Sequence, residues 1–166
     1  MRLAMITSWF HPFPAGSANR FYEIAKRLSD KHEIHVFTTR LRGCKREENI
    51  EGISVHRYGI IDPSWSLEKG MVLANLKFSW NTLRRLSRGK AFKNFDLIDC
   101  NITSKILPFV SYIASQFLDI PLVETWHEVW HLHNFKQYNF AFSSVAFVAE
   151  PIMARLADRF IAVSET

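Results

Sequence analysis

The sequence predicts an α/β fold with a doubly wound, mostly parallel, Rossmann-like sheet. Apolar strand-like runs alternate with helical stretches of 12 residues or more, the spacing a crossover between parallel strands needs. Several of those runs are continuously apolar rather than alternating, as strands covered on both faces are.

The first such run, "RLAMITS" (2–8), opens the chain. "WFHPFPAGSAN" follows, with two prolines and a glycine, too long for a tight turn. "SANRFYEIAKRLSDK" places Phe21, Ile24, Ala25 and Leu28 on one helical stripe, with Ser17 or Asn19 as its cap. "HEIHVFTT" (32–39) is the second strand, and the charged "RLRGCKREENIEG" (40–52) reads as a surface loop. "ISVHRYGI" (53–60) is a strand, residues 69–92 are helical in period, and "FDLIDC" (95–100) is a short strand. "SKILPFVSYIASQFL" (104–118) is a helix that accepts Pro108 in its first turn. "IPLVETW" (120–126) is a strand, "AEPIMARLAD" (149–158) a short helix opened by Pro151, and "RFIAVS" (159–164) the last strand.

With 166 residues, 48% of them hydrophobic, the chain is long enough for one domain with a substantial core. Its formal charge of +5 favours anionic partners without choosing among nucleotide, phospholipid and nucleic acid. No recognised nucleic-acid-binding module is visible, so nucleic acid is not expected as a partner. Cys44 and Cys100 are too few for a disulfide framework and read as reduced thiols, which points to the cytoplasm. No signal peptide is visible, and no run approaches the ~18 apolar residues of a membrane span.

His127-Glu128-Val129-Trp130-His131 spells H-E-x-x-H, the pattern that sets two zinc ligands and a general base on one helical face. Here the motif follows a β-branched strand directly, so His127 is expected at a strand's carboxyl end, where binding loops lie. The longer metalloprotease pattern also fails, with Asn134 and Gln137 where Gly and His belong. Glu150, the candidate third ligand, precedes Pro151 and reads as a carboxylate favouring a helix N-terminus. No metal site is expected, and zinc hydrolase through His127, Glu128 and His131 stands as a third reading. The first strand–loop–helix lacks G-x-G-x-x-G, having only Gly16, so neither a dinucleotide fingerprint nor a P-loop is present. The helix start still favours an anion, and Arg20, one turn in, adds charge there.

Residues 1–39, "MRLAMITSWFHPFPAGSANRFYEIAKRLSDKHEIHVFTT", resemble the N-terminal domain of family 4, GT-B-type glycosyltransferases. "FDLIDCN", "IPLVETWHE" and "LADRFIAVSE" resemble further landmarks of the family in the same order. The resemblance implies two Rossmann-like domains facing across a cleft, the first holding the acceptor and the second the nucleotide-sugar donor. It implies transfer of a hexosyl group with retention of configuration and without a metal or other cofactor. It places Gly16, Ser17 and Arg20 beside the acceptor and donor phosphate, and His127 beside the reacting sugar as the catalytic residue. Glu128 becomes a contact to acceptor hydroxyls, and Asn101 a substrate contact where relatives often carry histidine. The acceptor implied is a saccharide or a lipid-linked sugar.

The donor half, with its Lys/Arg pair and E-x(7)-E motif, is absent from the sequence. Residues 1–166 are therefore expected to be a single acceptor-side domain, nearly inactive without its C-terminal partner domain. From Lys69 to Phe95 there are seven Lys or Arg and no acidic residue. On a helix, Lys77, Arg84, Arg85 and Arg88 form a basic side apart from Leu73, Leu76, Trp80 and Leu83, a pattern of interfacial helices. Hence the second reading, a non-catalytic α/β domain that docks on anionic membrane, and a peripheral location at the membrane's inner face.

Overall fold

The apolar N-terminal run becomes the centre of the sheet. The structure, a computed structural model, describes residues 1–61, 70–88, 94–127 and 140–163. In chain order it contains β1 (Arg2–Ile6), α1 (Gly16–Ser29), β2 (Glu33–Leu41), β3 (Glu47–Ile50) and β4 (Ile53–Ile61). There follow α2 (Gly70–Arg88), β5 (Leu97–Asn101), α3 (Leu107–Leu118), β6 (Leu122–Trp126), α4 (Phe140–Met153) and β7 (Arg159–Ala162). The strand order is β3-β4-β2-β1-β5-β6-β7, and every pairing is parallel except β3 with β4. Strand order reverses at β1, which lies between β2 and β5.

Alternation along the strands sends side chains to two cores. Leu3, Met5, Ile34, Val36, Ile53 and Val55 pack with Phe21 and Ala25 of α1. Ala4, Ile6, Phe37, Ile98, Cys100 and Leu122 pack on the other face with Phe78 of α2 and Leu107 and Ala114 of α3. Pro108 is in the first turn of α3, where its missing N–H costs no hydrogen bond.

The structure corrects four expectations. The charged stretch 40–52 is not all loop, because β3 lies within it and pairs with β4 in a hairpin. Glu51 and Gly52, between the paired Ile50 and Ile53, take φ of 48° and 84°. Positive φ at both central residues gives the turn whose twist suits a two-residue hairpin. Secondly, α1 starts at Gly16 with Ala15 as its cap residue, and no side chain caps it. Ser17 and Asn19 lie inside its first turn.

Thirdly, Pro151 does not open a helix. It sits in the last turn of α4, which begins at Phe140, and the chain then leaves through turns at 154–156. The apolar "FAFSSVAFVA" carries the helix up to the proline, so Glu150 is near a helix C-terminus, not an N-terminus. There it is buried and forms an ion pair with Lys105.

Fourthly, α2 is rotated relative to its expected stripe. Ala74, Asn75, Phe78, Ser79 and Thr82 face the sheet, whereas Leu76 and Trp80 are 47% and 68% exposed. Close backbone approach explains the choice. Gly59 of β4, at φ 70°, lies so near α2 that a Cβ there would be 3.4 Å from the Ala74 carbonyl oxygen. Small residues are needed along that contact, and Phe78 fills the deeper space.

Candidate functional site

The carboxyl ends of β1, β5 and β6 meet where strand order reverses, the place where open α/β sheets form a binding crevice. Thr7, just beyond β1, Asn101, the last residue of β5, and His127, just beyond β6, are drawn together there. The Asn101 side-chain Nδ2 donates to Thr7 Oγ1 at 3.1 Å, and its Oδ1 is 2.5 Å from His127 Nε2. Thr7 Oγ1 in turn donates to the Trp9 carbonyl at 2.9 Å. Thr7 and Asn101 are completely buried, and His127 is half-buried at the crest.

Asn101, expected as a substrate contact, therefore lies beneath the crest with both ends of its amide engaged by the protein. As the end residue of β5 it sits between β1 and β6, whose following residues reach it from either side. Two residues back on the same face, Asp99 accepts a hydrogen bond from Thr125 Oγ1 at 3.2 Å. Burial pushes the Asp99 carboxyl up to about 6, while the Thr125 hydroxyl and the charge of Arg20 pull the other way.

The loop after β1 and the start of α1 belong to the same carboxyl edge of the sheet. Space above Gly16 is open, with no protein atom within 4 Å of where a Cβ would stand. With no side-chain cap, the first N–H groups of α1 are available to an anion. Arg20 carries its charge from α1 toward Asp99, and its Nη1 is buried with no hydrogen-bond partner among the described residues. Ser17 lies in the same first turn, half-buried.

Arg57 holds this loop, and the sequence reading missed it. Its guanidinium is buried, pairs with Glu48 of β3, and donates from Nη2 to the His11 carbonyl at 2.6 Å. The signal was present: in "ISVHRYGI" the inward positions run Ile53, Val55, Arg57, and a charge at the third needs a buried partner. Ser8 likewise ties the crest to α2 by donating to Asn75 Oδ1 at 2.7 Å.

Glu128 and His131 lie outside the described residues. Among the described residues, no group of three or more His, Cys, Asp or Glu is arranged to hold a metal ion. The basic residues form a separate surface. Lys77 and Arg84 are exposed on α2, Arg85 pairs with Glu47 at 3.7 Å and lies over the Tyr58 ring, and the Arg88 side chain is outside the description.

The family model for Glycosyltransferase Family 4 matches residues 14–166. The chain belongs to glycosyltransferase family 4. Solved structures agree on the fold of this family 4 chain. Sucrose-phosphate synthase from Thermosynechococcus elongatus matches with a TM-score of 0.72 at 13% identity, over 99% of this chain and 42% of that one. Anabaena Alr3699/HepE in complex with UDP-glucose matches with a TM-score of 0.56 at 18% identity, over 99% of this chain and 38% of that one. HepE with UDP and glucose matches similarly, at a TM-score of 0.55 and 17% identity. No curated protein matches. The family 4 chain thus spans about two-fifths of the length of these solved relatives, and at such identities the likeness establishes the GT-B-type α/β fold.

Proposed function

We propose that this family 4 chain is the acceptor-side domain of a retaining, metal-independent hexosyltransferase that uses a nucleotide-sugar donor. The observation that carries the reading is that His127, held by Asn101 just beyond β6, and the uncapped start of α1 with Arg20 both belong to the carboxyl edge of the sheet, where strand order reverses. HepE was solved with UDP-glucose and with UDP and glucose, which supports a donor of that class here. A departing nucleoside diphosphate gains negative charge, and N–H groups and a guanidinium already in place stabilise it without reorganising. His127, at the strand end, orients a sugar hydroxyl or takes its proton as the new bond forms. Glu128, Gly16 and Ser17 contact the acceptor, a saccharide or lipid-linked sugar. The nucleotide is bound mainly by a second domain, so the chain alone transfers little.

The test is transfer by the complete enzyme that contains this chain. Retention of anomeric configuration and full activity in a chelator are expected. His127→Ala lowers turnover by about 10²–10⁴, the usual range for a lost acid–base group, while the fold is kept. Wild-type turnover in His127→Ala, an inverted product, or loss of activity in the chelator would each overturn part of the reading.

A second observation favours membrane docking by the same protein. Leu76 and Trp80 are exposed on α2 beside Lys77 and Arg84, so apolar and basic groups share one surface. That is the composition of a helix lying at an anionic lipid interface. Among the described residues no helix is long and apolar enough to cross a membrane. The location proposed from that exposed apolar and basic surface is peripheral, at the cytoplasmic face, where lipid-linked acceptors are within reach.

A further inference from the structure

We infer that Asn101, oriented by Thr7, fixes His127 as its Nε2–H tautomer. Four groups stand in line: the Trp9 carbonyl, the Thr7 hydroxyl, the Asn101 amide and the His127 ring. Thr7 has one hydroxyl proton, and the Trp9 carbonyl 2.9 Å away takes it. The Trp9 backbone N–H approaches the same oxygen at 3.3 Å as a donor, so Oγ1 keeps only acceptor capacity toward Asn101. The Asn101 group 3.1 Å from Oγ1 must then be Nδ2. Turned the other way, the amide would set its oxygen against an oxygen that has no proton left to give.

With Nδ2 committed to Thr7, Oδ1 faces the ring, and His127 Nε2 is 2.5 Å from it. An amide oxygen only accepts, so Nε2 carries the proton. Thr7 and Asn101 are both completely buried, which denies water the chance to replace either partner. In the neutral ring the lone pair is therefore on Nδ1. Asn101 and Thr7 are positioning residues acting through His127. Their bearing on catalysis rests on the proposed function, whereas the tautomer is a property of the folded chain.

The tautomer is read directly from long-range proton–nitrogen correlation spectra of the ¹⁵N-labelled chain, at a pH where the ring is neutral and with no substrate present. The wild type is expected to show Nε2 protonated. A free imidazole already leans to that form, so the variants decide. Thr7→Val frees the amide to turn and moves the tautomer ratio toward Nδ1–H by about tenfold, the worth of one ordinary hydrogen bond. Thr7→Ser restores the wild-type ratio. Asn101→Asp keeps an acceptor at the ring and keeps Nε2–H, which guards against a Thr7 variant that fails to fold.

An Nδ1–H ring in the wild type, or an unchanged ratio in folded Thr7→Val, overturns the assignment. If the ratio moves but kcat of the complete enzyme and its pH profile do not, the positioning role falls and the proposed function stands. If His127→Ala itself retains wild-type turnover, the proposed function falls and the tautomer assignment survives.

Discussion

Glu124 offers the sharpest test of how this fold handles charge. It lies on β6 opposite Cys100 and Phe160, on the face away from α1, and is completely buried. Its Oε2 accepts from the Trp126 indole N–H at 3.2 Å, and its Oε1 has no hydrogen-bond partner among the described residues. Burial pushes its pKa from the usual 4.5 up to about 7, against a smaller opposing effect of the Trp126 hydrogen bond. The folded chain thus holds this proton more tightly than the unfolded chain does. Stability is unaffected well below pH 4.5, falls as the pH rises toward 7, and carries the full penalty above that. At ~1.36 kcal/mol per pH unit, the penalty is about 3 kcal/mol, a large part of a typical domain's net stability.

Glu124→Gln keeps the shape and an acceptor for the indole but removes the charge. Urea unfolding of both proteins from pH 4 to 8 measures the effect, and taking the difference between them cancels other titrating groups such as Asp99. The difference is expected to be near zero at pH 4 and to grow to about 3 kcal/mol in favour of Gln at pH 8. A difference that does not change with pH, or a less stable Gln variant at pH 8, would refute the reasoning.

Further perturbations address the crest and the helix surface. Arg57→Met leaves Glu48 and the His11 carbonyl without their buried partner. It is expected to cost about 2–4 kcal/mol in urea unfolding and to speed proteolysis between Trp9 and Ala15. Unchanged stability and cleavage would remove Arg57 from its role in holding the loop. Lys77→Glu with Arg84→Glu is expected to lower co-sedimentation with anionic vesicles at least tenfold, since each basic residue near such a surface is worth ~1 kcal/mol. Trp80→Ala, which removes the exposed indole, weakens the same binding. Unchanged binding in the double reversal would leave α2 a plain structural helix.

Much of the architecture was legible because one period dominates each element. The apolar runs at 2–8, 120–126 and 159–164, with long helical stretches between strands, forced a parallel sheet, and Pro108 marked a helix's first turn. β3 was hidden by its own charge: Glu47 and Glu48 sit on an edge strand, where solvent covers one side and polar residues are stable. The start of α4 was hidden because a nearly unbroken apolar run carries no helical stripe to read. Of the site, His127 was placed at a strand's carboxyl end from the strand before it, and Arg20 one turn into the first helix. Thr7 gave no signal, since a threonine at the end of an apolar run is ordinary.

By itself the sequence determined the alternation of the parallel strands with helices, the α/β class and the family 4 resemblance. Those depend on local periodicity and on short motifs, which survive without knowledge of distant contacts. Only the tertiary structure decided which face of α2 is buried, because the close approach at Gly59 selects small residues over the larger apolar stripe. It alone showed Asn101 bridging Thr7 to His127, residues 94 and 26 positions away in the chain. It alone showed Arg57 fastening a loop 46 residues distant. Hydrogen bonds between residues so far apart depend on strand order, and strand order is set by how the whole sheet buries its two faces.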